Sequence, residues 1–307
     1  MDRSSPAVVS RTATGASRYT CRLMPAFWNP SMPPRQRFAV FGHPINHSLS
    51  PRIHADFAGQ FGIDLSYEAI DATPEGFSDA VQAFFTEGRG ANVTLPHKAA
   101  GFAMADIATP TATRAGTANV LTRLPDGRLE AHNTDGDGMV RDITERHAMD
   151  LRGHTALLLG AGGAARGVAW HLLDAGVGTL TIVNRSPVAA DELADAIGDP
   201  ARAHTRYWED LHDIGSFDLI VNATSAGTLG GGLDLPVSII GSRALCYDLS
   251  YGKSAAGFVG WARGAGARYA FDGLGMLVET AADAFERWHG KRPDTDPVYQ
   301  ELRAIFG

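Results

Sequence analysis

The stretch Thr155-Ala-Leu-Leu-Leu159-Gly160-Ala-Gly162-Gly163-Ala-Ala165 decides the fold of this chain, because it joins an apolar run to a glycine-rich turn. The run suits a buried strand, and the turn after it reads G-x-G-x-x-A at the start of a helix. Gly160 permits a tight turn, Gly162 lets backbone N–H groups approach a pyrophosphate, and Ala165 keeps helix and strand close. The partial positive charge of the helix N-terminus then faces the phosphates. The segment therefore predicts a dinucleotide-binding unit.

Strands and helices alternate on both sides of this turn, which predicts an α/β fold with right-handed crossovers and a parallel sheet. The upstream part predicts a βαβαβα unit with an antiparallel addition, because Pro125-Asp126-Gly127 separates two apolar runs as a hairpin turn would. The predicted strands are 38–41, 66–70, 90–94, 118–124, 128–131, 155–159, 180–183, 218–221, 245–249 and 268–271. The predicted helices are 51–61, 74–85, one starting at Pro96, 135–147, 164–173, 191–197 and 275–288.

Two domains of ordinary size fit the 307 residues of the chain. We predict a substrate-binding domain over 37–135 and a Rossmann-type domain over 136–271. Residues 1–36 are rich in Ser, Thr, Arg and Pro and carry one acid, Asp2, so we predict a disordered extension. That extension is either a transit peptide or the result of a mis-assigned start, with Met32 as the true initiator; the second alternative is favoured.

Charge and cysteine content exclude several classes of protein. The net charge of −7 provides no electrostatic footprint for nucleic acid or for an anionic membrane. Cys21 and Cys246 are far apart and lie in no metal-ligand spacing, which fits a reducing cytoplasm better than a disulfide scaffold. His43, His47, His54 and His97 lie near the same loops, but no pair has ligand spacing on one helix, so no metal site is predicted.

The choice of cofactor depends on the end of the second strand after the glycine turn. An NAD site usually has Asp or Glu there, which holds the ribose 2′-hydroxyl. This chain has Asn184-Arg185-Ser186, with no acid to repel a 2′-phosphate. The planar guanidinium of Arg185 suits a phosphate, so NADP is the predicted cofactor.

The chain resembles the shikimate dehydrogenase family over nearly all of Phe38 to Phe306. Several motifs in one order carry this resemblance, and together they are more specific than any one alone. They are Phe41–Pro51 (FGHPINHSLSP), Ala91–Lys98 (ANVTLPHK), Gly116–Asn119, Asn133–Gly136, the glycine turn, Asn184–Ser186, Asn222–Ser225, Tyr247–Tyr251 and Asp272–Val278.

The resemblance implies reversible reduction of 3-dehydroshikimate to shikimate with NADP, in the pathway to aromatic amino acids. It also implies a split substrate domain, which residues 272–307 complete. The implied catalytic residues are Lys98 and Asp135, and the implied substrate contacts are Ser48, Ser50, Thr94, Asn119, Tyr251 and Thr280. The implied cofactor contacts are Gly160, Ala161, Gly162, Gly163, Ala164, Asn184, Arg185, Ser186, Thr224 and Gly273.

The chemistry of Lys98 and Asp135 suits such a reaction. An ammonium group beside a ketone stabilises the negative charge that develops on its oxygen and can deliver a proton, while a carboxylate can orient the amine. Taken without the family context, a lysine after a strand is more often solvated, and Asp135 is as easily a helix N-cap.

Three positions depart from the usual family pattern: Leu49 in place of lysine, Ala189 in place of a second arginine, and Thr280 in place of glutamine. The last departure leaves open a quinate/shikimate-type or other paralogue that acts on a related cyclic hydroxy acid. A dinucleotide-binding regulator without activity is a further alternative, but it has no need of Lys98 and Asp135. A homodimer is considered as one assembly, and the oligomeric state stays open.

Overall fold

A computed structural model describes residues 35–306 of the chain. The predicted disordered extension, with Met32 and Cys21, lies almost wholly outside these residues. The described part contains two six-stranded sheets flanked by helices, which confirms the predicted α/β class. No helix in this part is both long and apolar enough to cross a bilayer.

The first sheet has the strand order β2-β1-β3-β5-β6-β4. Its first three strands are parallel, and β5 and β6 add an antiparallel hairpin. The strands are β1 Gln36–Gly42, β2 Leu65–Asp71, β3 Gly90–Val93, β4 Ile107–Ala108, β5 Val120–Arg123 and β6 Leu129–His132. The helices are α1 Ser50–Phe61, α2 Phe77–Phe84, α3 Lys98–Ala103 and α4 Pro110–Ala115.

The hairpin forms where the sequence predicts it. Gly127 closes the turn with a φ of 91°, which a residue without a Cβ adopts easily. The backbone N–H of Leu124 donates to the Arg128 carbonyl at 2.8 Å, and β5 then pairs with β6. The local turn chemistry of Pro125-Asp126-Gly127 therefore determines this element.

The second sheet is fully parallel and has the order β12-β11-β10-β7-β8-β9. Its strands are β7 Thr155–Leu159, β8 Thr179–Asn184, β9 Ala203–Tyr207, β10 Phe217–Asn222, β11 Ile240–Asp248 and β12 Tyr269–Phe271. Its helices are α6 Gly163–Asp174, α7 Pro187–Ile197 and α8 Ala256–Gly264. The strand order reverses between β7 and β10, and ligands of open α/β sheets bind at such a reversal. The glycine turn lies there.

Two segments connect the sheets. Helix α5 (Asp135–Arg141) and a π-helical turn (Asp142–Arg146) lead from the first sheet to the second. Helix α9 (Leu274–His289) leads back and is followed by α10 (Asp296–Phe306). Val278 and Phe285 of α9 are buried in one cluster with Phe38 of β1 and Phe57 of α1, so α9 packs as part of the first sheet's core.

The structure corrects several predicted boundaries. Leu95 and Pro96 lie in a turn, which the His97 backbone N–H closes by donating to the Thr94 carbonyl. Helix α3 therefore begins only at Lys98. The helix predicted over 135–147 changes to π-helical geometry at Asp142. Helix α7 begins at Pro187, four residues before the predicted start, since proline suits the first helical turn. The elements that the sequence analysis missed are β4, α4, β9, α8 and α10, most of them short or without clear apolar periodicity.

Candidate active site

A cavity of about 820 Å³ lies where the carboxyl ends of strands from both sheets face each other. Its wall is formed by loops after β1 and β3 of the first sheet, loops after β7, β8, β10 and β11 of the second, and the start of α9. All of the predicted site residues except Ser186 line this cavity. Residues that are up to 232 positions apart, Ser48 and Thr280, thus share one wall.

Lys98 and Asp135 form an ion pair inside this cavity. Each is the first residue of a helix, α3 and α5 respectively. The Nζ of Lys98 donates to Oδ2 of Asp135 at 2.6 Å, and the two side chains are only 16% and 5% exposed. Shielding from water strengthens such a pair relative to one on the surface, because the effective dielectric constant is lower.

The Asp135 carboxylate is held from its other side as well. Oδ1 accepts a hydrogen bond from the Asn119 amide at 3.0 Å, and the Asp135 backbone N–H donates to Asn133 at 3.0 Å. Asn133 itself donates to the Thr117 hydroxyl and carbonyl. Thr134 occupies the N-cap position of α5, so Asp135 is not the N-cap. Its carboxylate instead faces Lys98.

Asn119 lies on the cavity wall, but neighbouring residues occupy its amide. The NH₂ group donates to Thr134 and Asp135, and its oxygen accepts from the Thr134 backbone N–H at 2.9 Å. In this arrangement Asn119 orients the carboxylate of the ion pair. Its direct contact with a substrate stays a prediction.

Hydroxyl groups from both sheets line the same cavity as the ion pair. Ser48 and Ser50 lie at the start of α1, where the Ser48 hydroxyl accepts from the Ser50 backbone N–H at 3.3 Å. Thr94 follows β3, and Tyr251 enters from the loop after β11. Burial raises the pKa of the Tyr251 phenol, so this side chain stays a neutral hydrogen-bond donor at neutral pH.

Thr280 lies on the face of α9 that borders the cavity and is only 8% exposed. Its hydroxyl donates to the Leu277 carbonyl at 3.0 Å within the same helix. The hydroxyl proton is therefore occupied, and only its lone pairs remain for a ligand. The methyl group of Thr280 packs against Gly138 of α5.

The glycine turn forms a cradle that fits a dinucleotide. Gly160 has a φ of 108°, and a Cβ there would lie 3.0 Å from the Ala223 carbonyl oxygen. Both the backbone conformation and the lack of space therefore disfavour a side chain at this position. Gly162 is exposed at the N-cap of α6 with open space above it. A Cβ on Gly163 would lie 3.5 Å from the Cβ of Lys98, so the cradle is directly adjacent to the ion pair.

The predicted cofactor residues after β8 separate into two groups. Asn184 and Arg185 line the cavity, and Arg185 is exposed there. Ser186 is the N-cap of α7, and it does not line the cavity. The other two predicted cofactor residues, Thr224 and Gly273, also line the cavity. A Cβ on Gly273 would lie 2.5 Å from the Leu249 carbonyl oxygen.

Two features of the site were missed by sequence reasoning. Asn133 orients the Asp135 backbone, and its position two residues before an aspartate at a helix start was the available signal. Trp208, which follows β9, lines the cavity with Arg185, but β9 itself has no clear sequence pattern. The histidines near these loops have separate partners: His43 contacts Asp71, His54 contacts Asn92, and His97 contacts the Ala72 carbonyl.

Three family profiles match the chain in order. They are described as the shikimate dehydrogenase substrate binding domain over residues 40–121, shikimate / quinate 5-dehydrogenase over 142–229, and the shikimate 5′-dehydrogenase C-terminal domain over 273–303. The first covers strands of the first sheet, the second includes the glycine turn, and the third covers α9 and most of α10.

Individual proteins show the same similarity. The shikimate dehydrogenase (NADP(+)) of Xanthomonas campestris pv. campestris strain B100 is 56% identical over 274 residues, which are 88% of this chain and 96% of that protein. The crystal structure of an Ael1 enzyme from Pseudomonas putida is 43% identical, with a TM-score of 0.79, and covers 87% of this chain and 98% of its own. The crystal structure of shikimate 5-dehydrogenase from Thermus thermophilus, in complex with NADP(H) and shikimate, is 33% identical, with a TM-score of 0.76. The match covers 88% of this chain and 99% of that one.

Proposed function

Because this chain belongs to the shikimate dehydrogenase family, we propose that it reversibly reduces 3-dehydroshikimate to shikimate with NADP, in the pathway to aromatic amino acids. The observation that carries this proposal is the 2.6 Å ion pair between Lys98 and Asp135, which shares one cavity with the dinucleotide cradle. A pair of this kind provides a proton and a fixed charge at the place where a bound nicotinamide and a ketone would meet.

The ion pair performs the proton chemistry of the proposed reaction. NADP, when bound, supplies or accepts the hydride. The Lys98 ammonium stabilises the charge that develops on the ketone oxygen and donates a proton to it, and in the reverse direction the amine accepts the alcohol proton. Asp135 holds the amine in place with one oxygen while Asn119 holds the other oxygen. The carboxylate thus keeps the lysine in one orientation through the reaction.

The hydroxyl groups of Ser48, Ser50 and Thr94 suit the carboxylate of the substrate. They are short donors that can converge on one anionic group, and they line the first-sheet side of the cavity. The Tyr251 phenol is a further donor, since burial raises its pKa. Lys98, between these groups and the glycine turn, would then face the ring carbon that reacts.

The glycine turn and the residues after β8 would hold NADP. Gly160, Ala161, Gly162, Gly163 and Ala164 form the cradle at the start of α6, where free backbone N–H groups suit a pyrophosphate. Arg185 would pair with the 2′-phosphate. Thr224 and Gly273 would lie along the nicotinamide side, while Asn184 orients the loop by donating to the Ser186 carbonyl at 3.0 Å.

The division into domains is part of this proposal. Residues 37–135 and 272–307 would form the substrate domain, and 136–271 the NADP domain, with α5 and α9 as the connections. A homodimer stays a prediction that size-exclusion chromatography with light scattering would test. Location in the cytoplasm and lack of nucleic-acid binding stay predictions from the cysteines and the net charge.

Steady-state assays with shikimate and quinate, each with NADP and NAD, test the proposed function. We expect the highest kcat/KM for shikimate with NADP. The comparisons do not favour the alternative of a paralogue with another hydroxy acid. Faster turnover of quinate would nevertheless overturn the substrate assignment, and a folded protein that binds NADP without turning over either acid would indicate a regulator.

A further inference from the structure

Helices α5 and α6 cross in close contact next to the ion pair, and a glycine on each helix makes this contact. A Cβ on Gly136 of α5 would lie 1.9 Å from Nδ1 of His171 on α6. A Cβ on Gly167 of α6 would lie 2.7 Å from Oδ2 and 3.0 Å from the Cβ of Asp135. The two backbones therefore approach more closely than any side chain at these two positions would allow.

The contact at Gly167 involves the reactive part of the site. Oδ2 of Asp135 is the atom that accepts from Lys98 at 2.6 Å. The same missing Cβ would also lie 3.2 Å from Oδ1 of Asn133, which accepts from the Asp135 backbone N–H. The bare Cα of Gly167 thus lies against a carboxylate that Lys98 and Asn119 hold from other sides, in a residue whose backbone N–H donates to Asn133.

The backbone of Gly167 has no role toward a dinucleotide. Free N–H groups occur only in the first turn of a helix, and α6 begins at Gly163. Gly167 lies beyond this turn and is buried against α5. Glycine also has a lower helix propensity than alanine, so the helix itself does not explain the residue.

We infer that Gly167 is a positioning residue, which sets the place of the Asp135 carboxylate and through it that of the Lys98 amine. The inference rests on the proposed function, because it assigns a consequence to the catalytic pair. It also means that one helix serves both partners of the reaction: its N-terminus holds the dinucleotide, and its next turn positions the acid–base pair.

The test is the pair of variants Gly167→Ala and Gly260→Ala. Gly260 is a matched control, because it lies inside helix α8, is exposed and has nothing within 4 Å of an added Cβ. We expect Gly167→Ala to lower kcat about 10- to 100-fold, as a misplacement of roughly 1 Å can do, with the KM for NADP changed less than about twofold. Gly260→Ala should match the wild type. Normal kcat for Gly167→Ala, or a raised KM for NADP with normal kcat, would overturn the inference.

A double-variant cycle separates this inference from the proposed function. In an Asp135→Ala background, measured by single turnover, Gly167→Ala should cause no further loss of rate, because the carboxylate that it displaces is gone. An equal loss in both backgrounds would overturn the positioning role and leave the proposed function intact. Full activity of Asp135→Ala would overturn the role of the ion pair, together with the inference, whereas a wild-type protein without activity on shikimate would overturn the proposed function itself.

A melting-temperature cycle covers the case in which Gly167→Ala folds poorly. Removal of the Asp135 carboxylate relieves the closest contact, so Gly167→Ala should lower the melting temperature less in an Asp135→Ala background than in the wild type. An equal drop in both backgrounds would show that the contact lies elsewhere and would overturn the inference.

Discussion

At the scale of single residues, the site depends on an ion pair whose members begin two different helices. Lys98 is partly shielded, and its amine has one carboxylate partner at 2.6 Å. Arg185, which lines the same cavity, is exposed and belongs to a loop. The first residue should therefore control the rate of the chemical step, and the second should control cofactor choice.

Lys98→Ala should lower kcat by about a hundredfold or more while the KM for shikimate changes little. The amine acts mainly as charge develops on the ketone oxygen, so its loss affects the transition state more than the bound substrate. Steady-state kinetics measure both constants. Lys291→Ala, at an exposed lysine that contacts Phe61, is the control and should behave as wild type. Near-normal turnover of folded Lys98→Ala would contradict the assigned role.

Arg185 should give a moderate preference for NADP over NAD. A single charge-assisted contact with the 2′-phosphate is worth about 1.5–3 kcal/mol, or roughly 10- to 150-fold in kcat/KM. Arg185→Ala should remove that factor for NADP and leave kcat/KM for NAD nearly unchanged. Ala189→Arg on α7 should add a second contact and strengthen the preference. A wild-type protein that uses NAD as well as NADP would refute the assignment.

At the scale of elements, α9 joins the core of the first sheet to the cavity. Met276 and Ala284, four residues before and after Thr280, are buried, so the apolar face of the helix points inward. Glu279, the neighbour of Thr280, is buried too and accepts from Arg146, Arg292 and Thr295. These ionic contacts fix the rotation of α9 about its axis and therefore the direction of Thr280.

Thr280→Gln should lower the KM for shikimate by up to roughly thirtyfold and leave kcat mostly intact. The longer amide would reach a ring hydroxyl of the bound substrate that the threonine would contact only through water, and a bridging water costs about 0–2 kcal/mol. Thr280→Val is the control: its effect should be small, because the threonine proton is already donated to Leu277. Loss of shikimate activity in Thr280→Gln would indicate a different substrate.

At the scale of the whole molecule, buried ionisable groups link stability to pH. Burial lowers the pKa of the His54 imidazole to about 3, and those of His132 and His147 to about 4. Burial raises the pKa of Asp142 and of Asp248 to about 6, which acts in the opposite direction between pH 4 and 6. The pH dependence of the free energy of unfolding is the sum of these contributions, and a variant at one residue isolates the contribution of that residue.

His54 should make the protein less stable as the pH falls from 6.5 towards 3. Its folded pKa lies below its ordinary value, so the unfolded chain takes up a proton below about pH 6.5 that the folded protein does not. The free energy of unfolding therefore does not depend on His54 titration above about pH 6.5. Below that pH it decreases by up to about 1.4 kcal/mol for each pH unit because of this residue. In urea unfolding between pH 4 and 7, His54→Phe should flatten the slope of the free energy of unfolding. An unchanged slope in His54→Phe would contradict the prediction.

The sequence by itself determined the elements whose cause is local. The G-x-G-x-x-A turn could be predicted because Gly160 needs a positive φ, and the hairpin because Pro125-Asp126-Gly127 prefers one turn. The helix predicted over 275–288 likewise agrees with α9 to within one residue at each end. Boundaries at Pro96 and Asp142 were wrong, since packing from distant residues decided where those helices begin and change geometry.

Only the tertiary structure decided how the site is assembled. Lys98 and Asp135 are 37 positions apart, and their 2.6 Å contact follows from the way α3 and α5 start at the same edge of the first sheet, after β3 and β6. No local pattern in the sequence indicates that the Asn119 amide donates to Asp135 or that Ser186 lies away from the cavity. The same is true of the contact between Gly167 and Asp135. The reason is physical: dihedral preferences and periodicity act over a few residues, whereas the distance between two helices depends on every side chain packed between them.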